Sequence, residues 1–164
     1  MERFATIELS KEYQKFSAAH FTIFSATERE RLHGHNYRVS VAIEAPVQDD
    51  GLVISYRVFK DKLKQLCEEL DEYVHLPALS PYLHIERTGD CYKVGYNGES
   101  MLLLCSDTLV LPIRNTTLEE YSYYILERLM ADELINAHHV RQIEVKVASG
   151  PGQWGSSRWQ RHHA

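Results

Sequence analysis

From His33 to Glu44 the residues alternate: Tyr37, Val39, Val41 and Ile43 fall on one side, and Arg38, Ser40 and Glu44 on the other. A period of two over this length specifies a half-buried β-strand. His33 and His35 open the segment with the parity of its apolar set, so both imidazoles should point inward together. A third histidine, His20, ends the upstream apolar run Phe16-Ser17-Ala18-Ala19. Buried polar rings need partners, and a shared metal ion would serve all three. Three neutral imidazoles with positions left open suit a catalytic zinc better than a structural one. The chain has nine histidines, and two exposed loop histidines would have the same spacing. It is the position at the head of an alternating strand that favours a metal.

Composition fits a soluble domain. A length of 164 residues with 44% hydrophobic content is that of one domain, 1–164, with a sizeable core. No apolar run approaches membrane-spanning length, and Met1-Glu2-Arg3 does not open a signal peptide. A formal charge of -5 gives no reason to expect nucleic acid as a partner. Cys67, Cys91 and Cys105 are odd in number and lack CxxC spacing, so a reduced, cytoplasmic protein is expected.

The pattern along the chain predicts a strand over 4–20, a loop over 21–32, and a second strand over 35–45 ended by Pro46. A helix follows over 56–71, with Val58, Phe59, Leu63, Leu66, Cys67 and Leu70 on one face. Short strands are expected at 82–87, 91–96 and 100–105. Thr117 and Glu120 match a capping box, opening a helix expected to reach Ala137 and to bury Leu118, Tyr121, Ile125 and Leu129. A last strand covers 140–148, followed by a Gly/Ser-rich tail carrying Trp154 and Trp159. Helices that do not alternate with strands imply an α+β fold, an antiparallel sheet with helices on one face. His138, His139, His162 and His163 read as surface or terminal residues.

The segments Phe16-Ser-Ala-Ala-His20 and Leu32-His-Gly-His-Asn-Tyr37 resemble the 6-pyruvoyl-tetrahydropterin synthase and 6-carboxytetrahydropterin synthase family. The resemblance continues through Leu70-Asp71, Leu76-Pro77, Leu111-Pro112-Ile113-Arg114-Asn115-Thr116-Thr117 and Pro151-Gly152-Gln153. It implies the tunnelling fold: an antiparallel four-stranded sheet backed by two helices, with subunits joined edge to edge into barrels, commonly homohexamers, and active sites at subunit interfaces. It also implies Zn2+ held by His20, His33 and His35, and a small-molecule substrate such as dihydroneopterin triphosphate. Zinc would polarise a side-chain oxygen while nearby protein groups move protons. Asn115, Thr116 and Thr117 are then candidates for substrate contact, although capping alone explains Thr117.

Departures from the family pattern fall at the chemistry. Where relatives usually carry a cysteine base, four residues before the first histidine of His-Gly-His, this chain has Arg29, straddled by Glu28 and Glu30. An arginine cannot abstract a proton, but it can clamp a phosphate or carboxylate. Asp71 is followed by Glu72 rather than the histidine of an Asp-His relay, with His75 a few residues on. Ser149 stands where a glutamate usually anchors the pterin. The expectation is a zinc-dependent, lyase-type enzyme acting on a pterin or related molecule, with Glu28, Glu30, Glu72 or His75 as base beside Asp71. Two alternatives stand beside it: a zinc- and pterin-binding homologue without turnover, and an ordinary synthase of the family.

Overall fold

In the computed structural model, which describes residues 3–136 and 139–161, the long alternating segment is the spine of the sheet. This strand, β3 (His33–Pro46), pairs antiparallel with β1 (Phe4–Leu9), β2 (Lys15–His20) and β9 (Gln142–Gly150). β10 (Gln153–Gln160) adds beyond β9, whereas β4 (Tyr73–Pro77) and β8 (Thr108–Leu111) extend the other side. Two helices, α1 (Arg57–Leu70) and α2 (Leu118–Met130), cover one face, and a short α3 (Glu133–Asn136) follows. A separate meander, β5 (His84–Thr88), β6 (Cys91–Tyr96) and β7 (Glu99–Leu104), forms a three-stranded sheet.

The core is the one that alternation implies. Tyr37, Val39, Val41 and Ile43 of β3 join Ile143, Val145 and Val147 of β9. Against them pack Phe59, Leu63, Leu66, Cys67 and Leu70 of α1, and Tyr121, Ile125, Leu126 and Leu129 of α2. Burial pushes the Cys67 thiol up, as befits a cysteine used for packing. Val58, expected on the buried face, is only partly buried.

The α+β class holds, but the sheet is wider than expected and mixed. Four antiparallel strands, β10-β9-β3-β2, are present; β4 then joins β2 in parallel and β8 joins β4 in parallel. The expected strand over 4–20 is two strands on one line. Leu9 lies opposite Val41 and Lys15 opposite Arg38. Residues 10–13 therefore leave the sheet, and Gln14 returns to it, its N–H donating to Lys11 O at 2.9 Å and its carbonyl accepting Val39 N–H of β3 at 2.8 Å.

The second helix stops at Met130 rather than Ala137. Asp132 starts α3, its Oδ1 accepting from Leu134 N–H at 3.0 Å. Thr117 caps α2 by accepting from Glu120 N–H. The Glu120 carboxylate does not return to Thr117 as a capping box would have it; it takes Arg114 N–H at 2.7 Å. Leu118, expected to be buried, is half-buried. His139 is exposed, whereas His138, His162 and His163 lie outside the described residues.

Candidate metal centre and cavity

β2 and β3 bring the three histidines together because His20 pairs with His33 across the ladder, and His35 follows two residues on along the same face. One ligand nitrogen from each lies within 4.8 Å of the others. The Nε2 atoms of His33 and His35 are 2.9 Å apart. Two nitrogens on one tetrahedral ion stand about 3.3 Å apart, so small ring movements would accommodate it.

The opposite ring nitrogens are already committed. His20 Nδ1–H donates to Thr116 O at 3.0 Å, and His33 Nδ1–H to Arg31 O at 2.6 Å. Such outer bonds fix the tautomer and turn the Nε2 lone pairs toward a common point. The Tyr37 hydroxyl meets His20 Nε2 at 3.1 Å. Burial, then the neighbouring His33, pushes His20 down to about 4, keeping its ring neutral, the form that ligates a metal. The donor set fits a divalent ion.

Of the two glutamates flanking Arg29, the structure brings one to the histidines. Glu30 Oε2 lies 3.9 Å from His33 Nε2 and accepts Thr22 N–H at 2.9 Å. Burial acts to raise its pKa, but the Thr22 hydrogen bonds, then His33 and His20, outweigh it and hold the carboxyl below the usual glutamate range. Glu28 is exposed, and its backbone carbonyl closes a turn to Phe24 and Ser25. Arg29 projects away from the histidines, with its guanidinium 4.8 Å from the Phe21 ring and 5.5 Å from that of Tyr96. Its expected role as a substrate clamp at this site therefore lacks the geometry.

A cavity of 460 Å3 opens at the histidines. Thr22, Glu30, Tyr37, Ser149, Gln153 and Trp154 are among its walls, with residues 116–119 of the α2 entry. Ser149 and Thr117, expected from the sequence as substrate contacts, both line this cavity. Thr116 reaches the site from behind: its carbonyl holds His20, and its hydroxyl donates to Phe21 O at 2.9 Å. Asn115 acts as a backbone mimic, accepting Ile23 N–H at 3.1 Å and donating to Ile23 O at 2.7 Å. It pins the loop rather than facing the cavity.

The other proton-transfer candidates lie elsewhere in this chain. His75 is wholly buried, with Nδ1 2.9 Å from the Tyr121 hydroxyl and Nε2 2.9 Å from Leu70 O. Both nitrogens are occupied and it does not face the cavity. Asp71 ends α1 and its Oδ1 accepts Ser17 N–H at 2.6 Å. Glu72 is exposed, has a positive φ of 64°, and borders a separate cleft that includes His35 and Asn36.

Tyr37, Thr22 and Gln153 were not picked out as site residues from sequence. Tyr37 carried a signal, since it continues the parity of His33 and His35. Gln153 and Trp154 depend on a hairpin, with Gly152 at a φ of 80° turning β9 into β10 and over the cavity mouth.

Comparison with known proteins agrees over most of the chain. The family model described as 6-pyruvoyl tetrahydropterin synthase matches residues 8–159. A Methanocaldococcus jannaschii protein, named as a candidate 6-carboxy-5,6,7,8-tetrahydropterin synthase, is 29% identical over 142 residues, covering 85% of this chain and 86% of its own. Solved structures of 6-pyruvoyl tetrahydropterin synthase from Plasmodium vivax and Plasmodium falciparum superpose with TM-scores of 0.90 and 0.89. They are 30% and 31% identical, and the matches cover 97% and 96% of this chain and 99% of each of theirs. Variants of the P. vivax enzyme replace a catalytic glutamate by alanine or cysteine. With histidines, fold and sequence in agreement over nearly its full length, the chain belongs to the 6-pyruvoyl tetrahydropterin synthase family.

Proposed function

We propose that this protein is a metal-dependent lyase acting on a pterin of the dihydroneopterin triphosphate class, with Glu30 as its proton-transfer base. One observation carries the reading: the Glu30 carboxylate stands beside three converging imidazoles at the wall of a substrate-sized cavity. His20, His33 and His35 would hold Zn2+, which when bound supplies Lewis-acid polarisation of a substrate oxygen. Thr116 and Arg31 orient the rings through their carbonyls. Glu30 Oε2 is held by the Thr22 amide, which leaves Oε1 to take and return a proton. Glutamate catalysis also has a precedent in the P. vivax relative. With Arg29 turned aside, Glu30 takes the place of the cysteine base, so the ordinary synthase reaction stays within reach of this site. Ser149 cannot offer paired N–H donors a charged two-oxygen acceptor, so pterin recognition falls to other groups of the cavity wall.

Self-association into a barrel belongs to the same reading. Among the described residues, β10 and β8 end the sheet without an outer partner, and closure through neighbouring subunits is one way to remove such edges. Light scattering gives the subunit number.

The test is metal analysis joined to turnover of dihydroneopterin triphosphate followed by chromatography. Wild type should carry zinc and form product, and His33→Ala should lose the metal. Glu30→Gln should keep the metal and lose about 10²–10⁴-fold in rate. Tight pterin binding without product would make the protein a non-catalytic binder. Full turnover by Glu30→Gln would remove Glu30 as base.

A further inference from the structure

Arg29 sits beside the proposed base yet points away from it, and its surroundings are specific. Its guanidinium lies over Phe21 and Tyr96, both buried in the small cluster beneath the β5–β7 meander. Its Nη1 donates to the carbonyl of Glu30 itself at 2.7 Å. The same loop is tied at two more points. Glu30 N–H donates to Thr22 O at 2.8 Å, and the Tyr96 hydroxyl donates to Ser25 O at 2.8 Å. An Ile23–Arg29 bridge makes this stretch locally extended. Successive side chains of an extended chain project to opposite sides, so anchoring Arg29 on the meander sends Glu30 to the histidines.

We infer that Arg29 is a positioning residue: it locks the backbone at Glu30 against the meander and thereby sets where the Glu30 carboxylate stands relative to the three histidines. A guanidinium does this through two properties that other side chains do not combine. It stacks on aromatic faces by cation–π attraction, and its planar fork still reaches a carbonyl with a fixed donor. The meander thus acquires a part in the chemistry without touching the cavity. Tyr96 carries that part, since its ring receives Arg29 and its hydroxyl holds the tip of the same loop.

The inference rests on Glu30 as base, and the experiment separates the two claims. Supporting contacts of this kind typically contribute about 10–100-fold in activity, so Arg29→Ala should lower kcat by that factor with KM and zinc content unchanged. Arg29→Lys keeps a charge over the rings and a donor, and should recover part of the loss. In a Glu30→Gln background, Arg29→Ala should reduce the residual rate no further, the signature of two residues acting as one unit. Hydrogen exchange should quicken for amides of residues 22–30 in Arg29→Ala, with those of β3 and α2 unchanged. An unaltered kcat, full additivity with Glu30→Gln, or unaltered exchange in the loop would overturn the positioning role. Full turnover by Glu30→Gln would instead remove the base, and loop exchange in Arg29→Ala would still decide the clamp.

Discussion

At Gly155, where β10 crosses the first turn of α2, strand and helix backbones come close together. A Cβ placed there would stand 2.6 Å from both the carbonyl carbon and the Cβ of Leu118, and 2.9 Å from Glu119 N. Two of those three atoms are backbone, so no rotamer change relieves the overlap; strand and helix must part by nearly an ångström. Parting is resisted nearby, because Ser122 of α2 and Ser157 of β10 share a hydrogen bond of 2.8 Å. Gly155→Ala should therefore cost about 1–3 kcal/mol, the range for forcing methyl groups into packed interiors. For a chain of this length that corresponds to a Tm lower by roughly 3–10 °C. Gly150 is the internal control: it lies on the neighbouring strand, without positive φ, and nothing approaches its added Cβ within 4 Å. Gly150→Ala should be neutral or slightly stabilising, because alanine restricts the unfolded chain. Thermal and urea unfolding of the two variants give the answer. A Gly155→Ala protein as stable as wild type, or an equal loss in Gly150→Ala, would refute the contact argument. Gly155, Leu118 and Glu119 all line the cavity, so the destabilised variant should also bind ligand more weakly.

Thr116→Val keeps the carbonyl that holds His20 but removes the hydroxyl 3.1 Å from its Nδ1 and the bond to Phe21 O. Zinc affinity measured by chelator competition should fall toward the lower end of the roughly 10–100-fold range for such partners; unchanged affinity would show that the carbonyl suffices. His75 gives a pH test. Burial first, against a bond to Leu70 O and helped by His20, pushes it down to about 4. Below about pH 6.5 the unfolded chain binds a proton that the folded ring refuses, so stability should fall between pH 6.5 and 4 and level off beneath. The loss from this group amounts to about 3 kcal/mol, and urea midpoints for His75→Gln should show a shallower acid slope than wild type; identical slopes would dismiss it.

How far the sequence carried the reading depended on range. The histidines were legible because strand parity is a local rule, and α1 because its apolar face repeats every turn. Glu30 could not be separated from Glu28 in the sequence: the choice depends on Arg29 docking against Tyr96, about seventy residues away in the chain. β4 and β8 were missed because four-to-five-residue parallel strands alternate too briefly to show, and β4 ends in Pro77. β10 read as a tail because Gly155, Ser156 and Ser157 carry no apolar signal. The missing side chain at Gly155 is what lets β10 approach α2. His75 and Asp71 were singled out by their place in a motif, and only three dimensions show that hydrogen bonds to Leu70, Tyr121 and Ser17 already occupy them.

The excursion at residues 10–13 has a practical consequence. Because β1 and β2 resume the same line along β3, the length of chain between them is decoupled from the register that aligns His20 with His33. Lengthening a flexible loop costs only about 0.6 kcal/mol per doubling, so this is a natural port for grafting a tag, a reporter or a whole domain. Cargo inserted there would ride on the sheet while the metal-binding end of β3 kept its geometry.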